Sequence, residues 1–280
     1  MNTTGHACAS QAVAYNEVLT DQGAWALPDG RIQVSLELGE AVRTAELRLL
    51  LEDTYQLTRN GTRFEGCFRL PEGFQYVTLA VDGAEVISPF LPIGYGCAKP
   101  MNWIEVPAAD GDFYQIGDHP HGSVVREYYP ASVTGRLESC LVYLPPLWDK
   151  AQPLPVLYLQ HGWGENETGW IHQGRTNFIM DRLIAEKKCV PMLIVMCNGM
   201  VGVNGEYDTE AFPEVLVRDV IPFIEGKYPV KTDKWSRAMA GLSMAADTPA
   251  WRCSPIRNSS ATRGFSAASY AAGARLSSPT

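Results

Sequence analysis

Histidine runs out early in this chain. All five lie at or before His172, and beyond a Gly-Leu-Ser late in the sequence there is one aspartate, Asp247, and no glutamate. Acid–base chemistry built on that late serine must do without a downstream imidazole. Patterned cysteine is missing as well. The seven (Cys8, Cys67, Cys97, Cys140, Cys189, Cys197, Cys253) contain no C-x-x-C pair, which excludes the common zinc and dithiol motifs and leaves free thiols as the expectation. No apolar run reaches the roughly 20 residues of a membrane span. Residues 1–14 lack the basic start and apolar stretch of a signal peptide, so the expectation is cytoplasmic. Positive charge is in deficit: 23 Lys and Arg stand against 31 Asp and Glu, a net charge of −8. That argues against nucleic acid and anionic membrane as partners. No metal-ligand set or cofactor fingerprint is found, and no internal repeat.

What is present is apolar material in two textures. With 46% hydrophobic residues the chain has ample core. The first hundred residues read as all-β. Ile32, Val34, Leu36 and Leu38 alternate onto one face, and 45–51 and 64–70 are further strands. A strand at 76–81, the turn Asp82-Gly83 and a strand at 84–87 make a hairpin. Short strands at this spacing predict a small β-sandwich. Residues 98–122, rich in Pro, Gly and Asp, read as a connecting segment.

From Ser123 the pattern changes. Residues 124–129 and 137–144 predict paired strands, and the wholly apolar runs 156–159 and 193–196 suit a parallel sheet covered on both faces. Between them 177–188 has helical spacing. So does 212–228, with Pro222 set to kink or divide it. Strands alternating with helices predict an α/β class.

Two motifs carry chemistry. Gly241-Leu242-Ser243-Met244 closes a short apolar strand and reads as a nucleophile elbow, a sharp strand-to-helix turn that presents a serine hydroxyl. His161-Gly162-Trp163-Gly164 follows the strand at 156–159. A glycine-rich turn there lets backbone N–H groups face a cleft. Acyl transfer needs two such donors to hold an oxyanion, and the candidates are the N–H groups of Trp163 and Met244. His161 precedes those donors and reads as structural, at most lining a pocket. Trp170, Asn198, Glu206 and Tyr207 are candidate pocket residues, with ordinary core or loop roles as the plainer reading.

The stretch from Leu157 to Trp170, with Gln173-Gly174-Arg175, Asn177, Asp181, Asn198-Gly199 and Arg237 to Met244, resembles the esterase family that holds carbohydrate esterase family one, with its feruloyl and acetyl-xylan esterases, and relatives of esterase D. Asp112-Phe113-Tyr114 and His119-Pro120-His121-Gly122 resemble the linker of members that carry an N-terminal carbohydrate-module-like sandwich. The resemblance implies an α/β-hydrolase fold, incomplete at its C-terminus, preceded by a small all-β sandwich. Its divisions would be a sandwich at 1–105, a linker at 106–122, a hydrolase part at 123–244 and an aberrant tail at 245–280. It implies Ser243 as nucleophile, Trp163 and Met244 as oxyanion donors, and a small ester or acylated carbohydrate as substrate. A non-catalytic carbohydrate-binding protein, with Trp25, Tyr55, Phe64, Phe74 and Tyr76 as available aromatics, and a small thioesterase are the alternatives. The oligomeric state is open.

The family's Gly-Gly after the elbow is here Ala245-Ala246, and no acid or histidine follows. Without a base a serine hydroxyl is a weak nucleophile, so the chain is expected to be catalytically incomplete. Loss of one G from a Met-Gly-Gly codon run yields Met-Ala-Ala. The same slip at 251–254 conceals an apolar run where the fold calls for a buried helix, and it would leave the strand ending at Ala240 as an exposed apolar edge. Genomic DNA over codons 243–256 should therefore encode an apolar helix in the neighbouring frame. DNA with no such frame contradicts this origin of the tail.

Overall fold

The computed structural model describes residues 22–50, 53–108, 111–204, 206–208 and 211–243. Met244, the expected tail at 245–280, Cys8 and Cys253 lie outside the described residues. The chain divides into two compact units. One takes in the residues up to Gly117 together with Ile171–Ile179, and the other begins at Asp118 and resumes at Met180.

The first unit is antiparallel β throughout. Its strands are β1 (Gly23–Ala26), β2 (Ile32–Glu37), β3 (Ala45–Leu49), β4 (Thr54–Asn60), β5 (Arg63–Phe68), β6 (Gly73–Val81), β7 (Ala84–Val86), β8 (Ile93–Gly96) and β9 (Lys99–Val106). They form one hydrogen-bonded path, β1-β2-β5-β4-β3-β6-β9-β8, with β7 added on β6. Strand β4 pairs with β3 through its first half and with β5 through its second, so it joins the two halves of the path. The alternation seen in sequence explains the inward face: Ile32, Val34 and Leu36 from one half share a core with Leu47, Leu49, Val77, Leu79 and Ile104 from the other.

Strand β9 corrects the connecting segment expected from residue 98. Residues Lys99–Val106 belong to the sheet, and the run from Met101 to Val106 is buried. The β8–β9 turn concealed this, because Cys97 and Ala98 hold φ of +51° and +60° where Gly or Asn usually marks such a hairpin. Within β9, Asn102 is 1% exposed. Its Nδ2 donates to the carbonyls of Ser88 (2.9 Å), Leu91 (3.1 Å) and Pro92 (3.2 Å), while its Oδ1 accepts the Ser88 N–H at 2.8 Å. One side chain thus satisfies the irregular backbone between β7 and β8.

The linker expected at 106–122 is likewise shared out, since the first unit runs on to Gly117 and also takes in Ile171–Ile179. Polar contacts account for that return. Arg175 pairs with the buried Glu105, donates to Gln115 Oε1 at 2.8 Å and stacks over the Tyr114 ring. Burial pushes the Glu105 carboxyl up, and the Arg175 guanidinium opposes the rise.

The second unit holds a five-stranded sheet. Strands β10 (Ser123–Ala131) and β11 (Arg136–Leu144) form an antiparallel arm on β13 (Leu193–Cys197), which runs parallel to β12 (Val156–Gln160), which in turn runs parallel to β16 (Arg237–Gly241). The spatial order is β10-β11-β13-β12-β16. Every residue of β13 is buried, as the apolar run predicts. No residue of β16 is buried, and among the described residues its outer edge is unpaired. Helix α1 (Gly169–His172) and helix α2 (Thr176–Ala185) follow β12. The long helical run is α3 (Phe212–Val215), a π turn (Leu216–Val220) and α4 (Ile221–Lys227). Pro222 divides it as expected: it lacks an N–H and crowds the preceding turn. That turn widens, and the Ile221 N–H reaches back to the Leu216 carbonyl, the π pattern.

Replacing Asn102 with Leu takes their partner from the Ser88 amide and from the Ser88 and Leu91 carbonyls, while the Pro92 carbonyl keeps the Trp103 N–H. An unsatisfied buried group costs about 1–3 kcal/mol, so a loss of roughly 3 kcal/mol is expected in urea melts followed by tryptophan fluorescence. A midpoint equal to the parent's contradicts the role assigned to this side chain.

Candidate active site

The parallel register builds the site. Gln160, the last residue of β12, is opposite Cys197 on one side and Gly241 on the other. Three loops therefore leave the carboxyl ends of neighbouring strands together: 161–165, 198–200 and 242–243. The carboxyl edge of a parallel sheet is where α/β proteins place ligands.

The third loop carries Ser243. Its φ is +53°, a left-handed conformation that a serine adopts only under constraint. Leu242 donates its N–H to the Gln160 carbonyl at 3.3 Å, which ties the turn to the strand beside it, and Ser243 is exposed. The described residues thus show a strand end that turns at a left-handed Ser243.

The first loop passes close by. A Cβ added to Gly162 would stand 2.9 Å from Leu242 Cδ1 and 3.5 Å from both Ser243 Cβ and Glu165 Oε2. A side chain at 162 would press the Leu242 side chain aside. Gly164 holds φ of +74°, so it supplies the left-handed residue of the turn. The donors of this loop are nearly all used. Gly162 N–H goes to Glu165 Oε2 (2.9 Å), Gly164 N–H to Met200 Sδ (3.4 Å) and Glu165 N–H to the Gly162 carbonyl (3.3 Å). Among the described residues the Trp163 N–H has no acceptor. The Trp163 side chain is 55% exposed.

His161 is not a pocket residue. It is 1% exposed and both ring nitrogens meet backbone: Nδ1 lies 2.7 Å from the Gly162 carbonyl, and Nε2 lies 3.0 Å from the Gly199 N–H. Those partners require a neutral ring with its proton on Nδ1. Burial lowers its pKa from the ordinary 6.5, opposed by the Gly162 carbonyl and by Glu165, Asn198 and Glu167. The ring is a strut between the 161–165 and 198–200 loops.

Around this centre, Asn198 is half-buried and its Oδ1 accepts the Met200 N–H at 3.0 Å, which shapes its own turn. Tyr207 lies in the small hairpin of β14 (Gly202–Val203) and β15 (Glu206–Tyr207). It is 49% exposed, with its hydroxyl on Met200 Sδ at 2.5 Å, and Glu206 is exposed beside it. Trp170 sits on α1, half-buried, its indole N–H without a partner among the described residues. Asn166 caps the approach to that helix by accepting from the Thr168 amide (2.9 Å) and hydroxyl (2.6 Å). Glu165 and Met200 are the participants that motif reading missed. A glutamate following H-G-x-G was the available sign for the first, and the second left none. Among the described residues no group of three or more His, Cys, Asp or Glu side chains is arranged to hold a metal ion.

Comparison with known proteins follows this geometry. Residues 132–248 match the family model described as "Putative esterase". It is 41% identical over 183 residues to the endo-1,4-beta-xylanase/feruloyl esterase of Xylanibacter ruminicola, covering 61% of this chain and 25% of that protein. It is 29% identical over 140 residues to endo-1,4-beta-xylanase Y of Acetivibrio thermocellus, covering 45% of this chain and 12% of that one. The chain thus spans a quarter or less of these relatives. The enterobactin esterase of Shigella flexneri superposes with a TM-score of 0.55 at 10% identity, over 80% of this chain and 65% of that one. That likeness is one of fold, an α/β-hydrolase-like one.

The histidine strut makes a pH prediction. A neutral His161 contributes its stability fully above the unfolded pKa of about 6.5. Below that value the unfolded chain takes up a proton that the folded chain refuses until its own, lower pKa is reached. In that window stability should fall with acidification by up to about 1.4 kcal/mol per pH unit. His161→Gln should remove this slope. A parent whose unfolding midpoint is flat from pH 7 to 5, or a variant with the parent's slope, contradicts the neutral strut.

Proposed function

We propose that this chain carries the nucleophile side of a serine carboxylic ester hydrolase acting on acyl or feruloyl esters of carbohydrates or on small esters. The observation that carries the reading is the exposed Ser243 at φ +53°, beside a loop whose Trp163 N–H has no acceptor among the described residues. In this reading Ser243 Oγ attacks the ester carbonyl carbon. The carbonyl oxygen takes up negative charge, and the Trp163 N–H stabilises it together with the N–H of Met244. Collapse expels the alcohol and leaves an acyl-serine for water to cleave. Removing one oxyanion donor in such a site costs about 3–4 kcal/mol.

The serine proton needs an acceptor, the place a histidine takes in such a triad. His161 has both ring nitrogens on backbone, and no histidine follows His172. Loss of the histidine from such a triad costs on the order of a millionfold in kcat, so the chain as written is catalytically silent. The likeness to a xylanase/feruloyl esterase supports a feruloyl ester as substrate.

The first unit, in the same reading, is a sandwich closed over its own core. A glycan-binding role for it has little support, because Trp25, Tyr55, Phe74 and Tyr76 are half-buried and Phe64 is fully buried.

A fluorophosphonate probe tests the assignment. The chain as written should stay unlabelled, whereas a frame-restored chain should be labelled at Ser243 and lose that label in Ser243→Ala. Labelling that survives Ser243→Ala, or ordinary esterase turnover of an activated acetate by the chain as written, overturns it.

A further inference from the structure

Five described cysteines stand as free thiols: Cys67, Cys97 and Cys189 half-buried, Cys140 and Cys197 buried. The last two are register partners. Cys140 of β11 lies directly opposite Cys197 of β13 in an antiparallel ladder. Directly opposed residues project from the same face of the sheet, and both belong to the core of the second unit. Antiparallel partners have Cα atoms about 4.5 or 5.5 Å apart according to pair type, and a disulfide accepts about 4.4–6.8 Å. Either pair type therefore meets the backbone requirement, with the Cβ atoms drawing together by about 1 Å at most. The remaining described cysteines do not face one another across any ladder: Cys67 is opposite Gln33, and Cys97 and Cys189 lie outside the strands.

We infer that Cys140 and Cys197 are a latent cross-strand disulfide, formed when the chain folds in the presence of a low-molecular-weight disulfide such as oxidised glutathione. The chemistry is thiol–disulfide exchange. One cysteine thiolate attacks a glutathione sulfur and expels glutathione thiolate. The second cysteine thiolate then attacks the mixed disulfide and expels the other glutathione. Two protein thiols are oxidised, one glutathione disulfide is reduced to two thiols, and the two cysteine protons pass to solvent or the leaving thiolates.

Burial sets the timing. Cys140 is 0% and Cys197 2% exposed, and burial pushes the Cys140 thiol up to about 12 and that of Cys197 well above its ordinary value. The folded dithiol is thus shielded from the oxidant and stays un-ionised. The bond forms before β11 closes on β13, and once made it is equally shielded from reductants. It would pin the antiparallel arm to the parallel strands at the residue preceding Asn198, whose loop presents the Gly199 N–H to His161.

The test is refolding of the full chain from reducing denaturant into graded mixtures of reduced and oxidised glutathione, then acid quench, alkylation and tryptic mapping. Peptides 137–150 and 189–218 should appear joined and lighter by two hydrogens, at least tenfold more abundant than any other cysteine pairing. A Cys189→Ser background assigns the link to Cys197, and Cys140→Ala and Cys197→Ala should each abolish it. The already folded, reduced chain should gain no link over the same exposure. The inference is overturned if both thiols remain alkylatable in every mixture, if other pairings match this one in yield, or if the folded chain links as fast as the refolding one.

Discussion

The position of Gln160 between Cys197 and Gly241 is the constraint on which the site depends. A strand can hold two parallel neighbours in register only if both its edges bond along their length, so β12 lies between them. Apart from the terminal Gln160 its residues are apolar or aromatic, and four of the five are buried, as that place requires. The loops after β12, β13 and β16 then emerge side by side. A shift of one residue in either ladder would reverse the faces of the strand and carry the serine away from the glycine loop.

Within that frame the polar groups are used economically. His161 bridges two loops through backbone alone. Glu165 and Met200 take the amides on either side of Trp163. Among the described residues of these loops the Trp163 N–H is left without an acceptor, and Ser243 holds a left-handed φ. Strain of this kind, at a cost of order 1–3 kcal/mol per residue, collects where function holds it in place.

Much of this was legible in sequence, for identifiable reasons. The strands at Ile32, Val156 and Leu193 showed as alternation or as unbroken apolar runs because their faces are buried as those patterns require. The H-G-x-G loop showed because a left-handed φ at Gly164 favours glycine at that place. Strand β9 was obscured by a hairpin turn lacking glycine at its tip. The inclusion of Ile171–Ile179 in the first unit was obscured because the pairing of Arg175 with Glu105 joins residues far apart in the chain. The clamp by Met200 was invisible for a related reason, a side chain meeting backbone that no periodicity reports, while the clamp by Glu165 left only a glutamate after the H-G-x-G motif as its sign.

Residue-resolved amide exchange in the loop tests the central geometry most directly. With Gly162 and Gly164 held by Glu165 and Met200, their amides should be protected, and the Trp163 amide should exchange at least about tenfold faster than the Gly162 amide as an unbonded, solvent-facing donor. A Trp163 amide as protected as those of its neighbours would mean that the donor is already engaged and that this loop does not present the oxyanion site described.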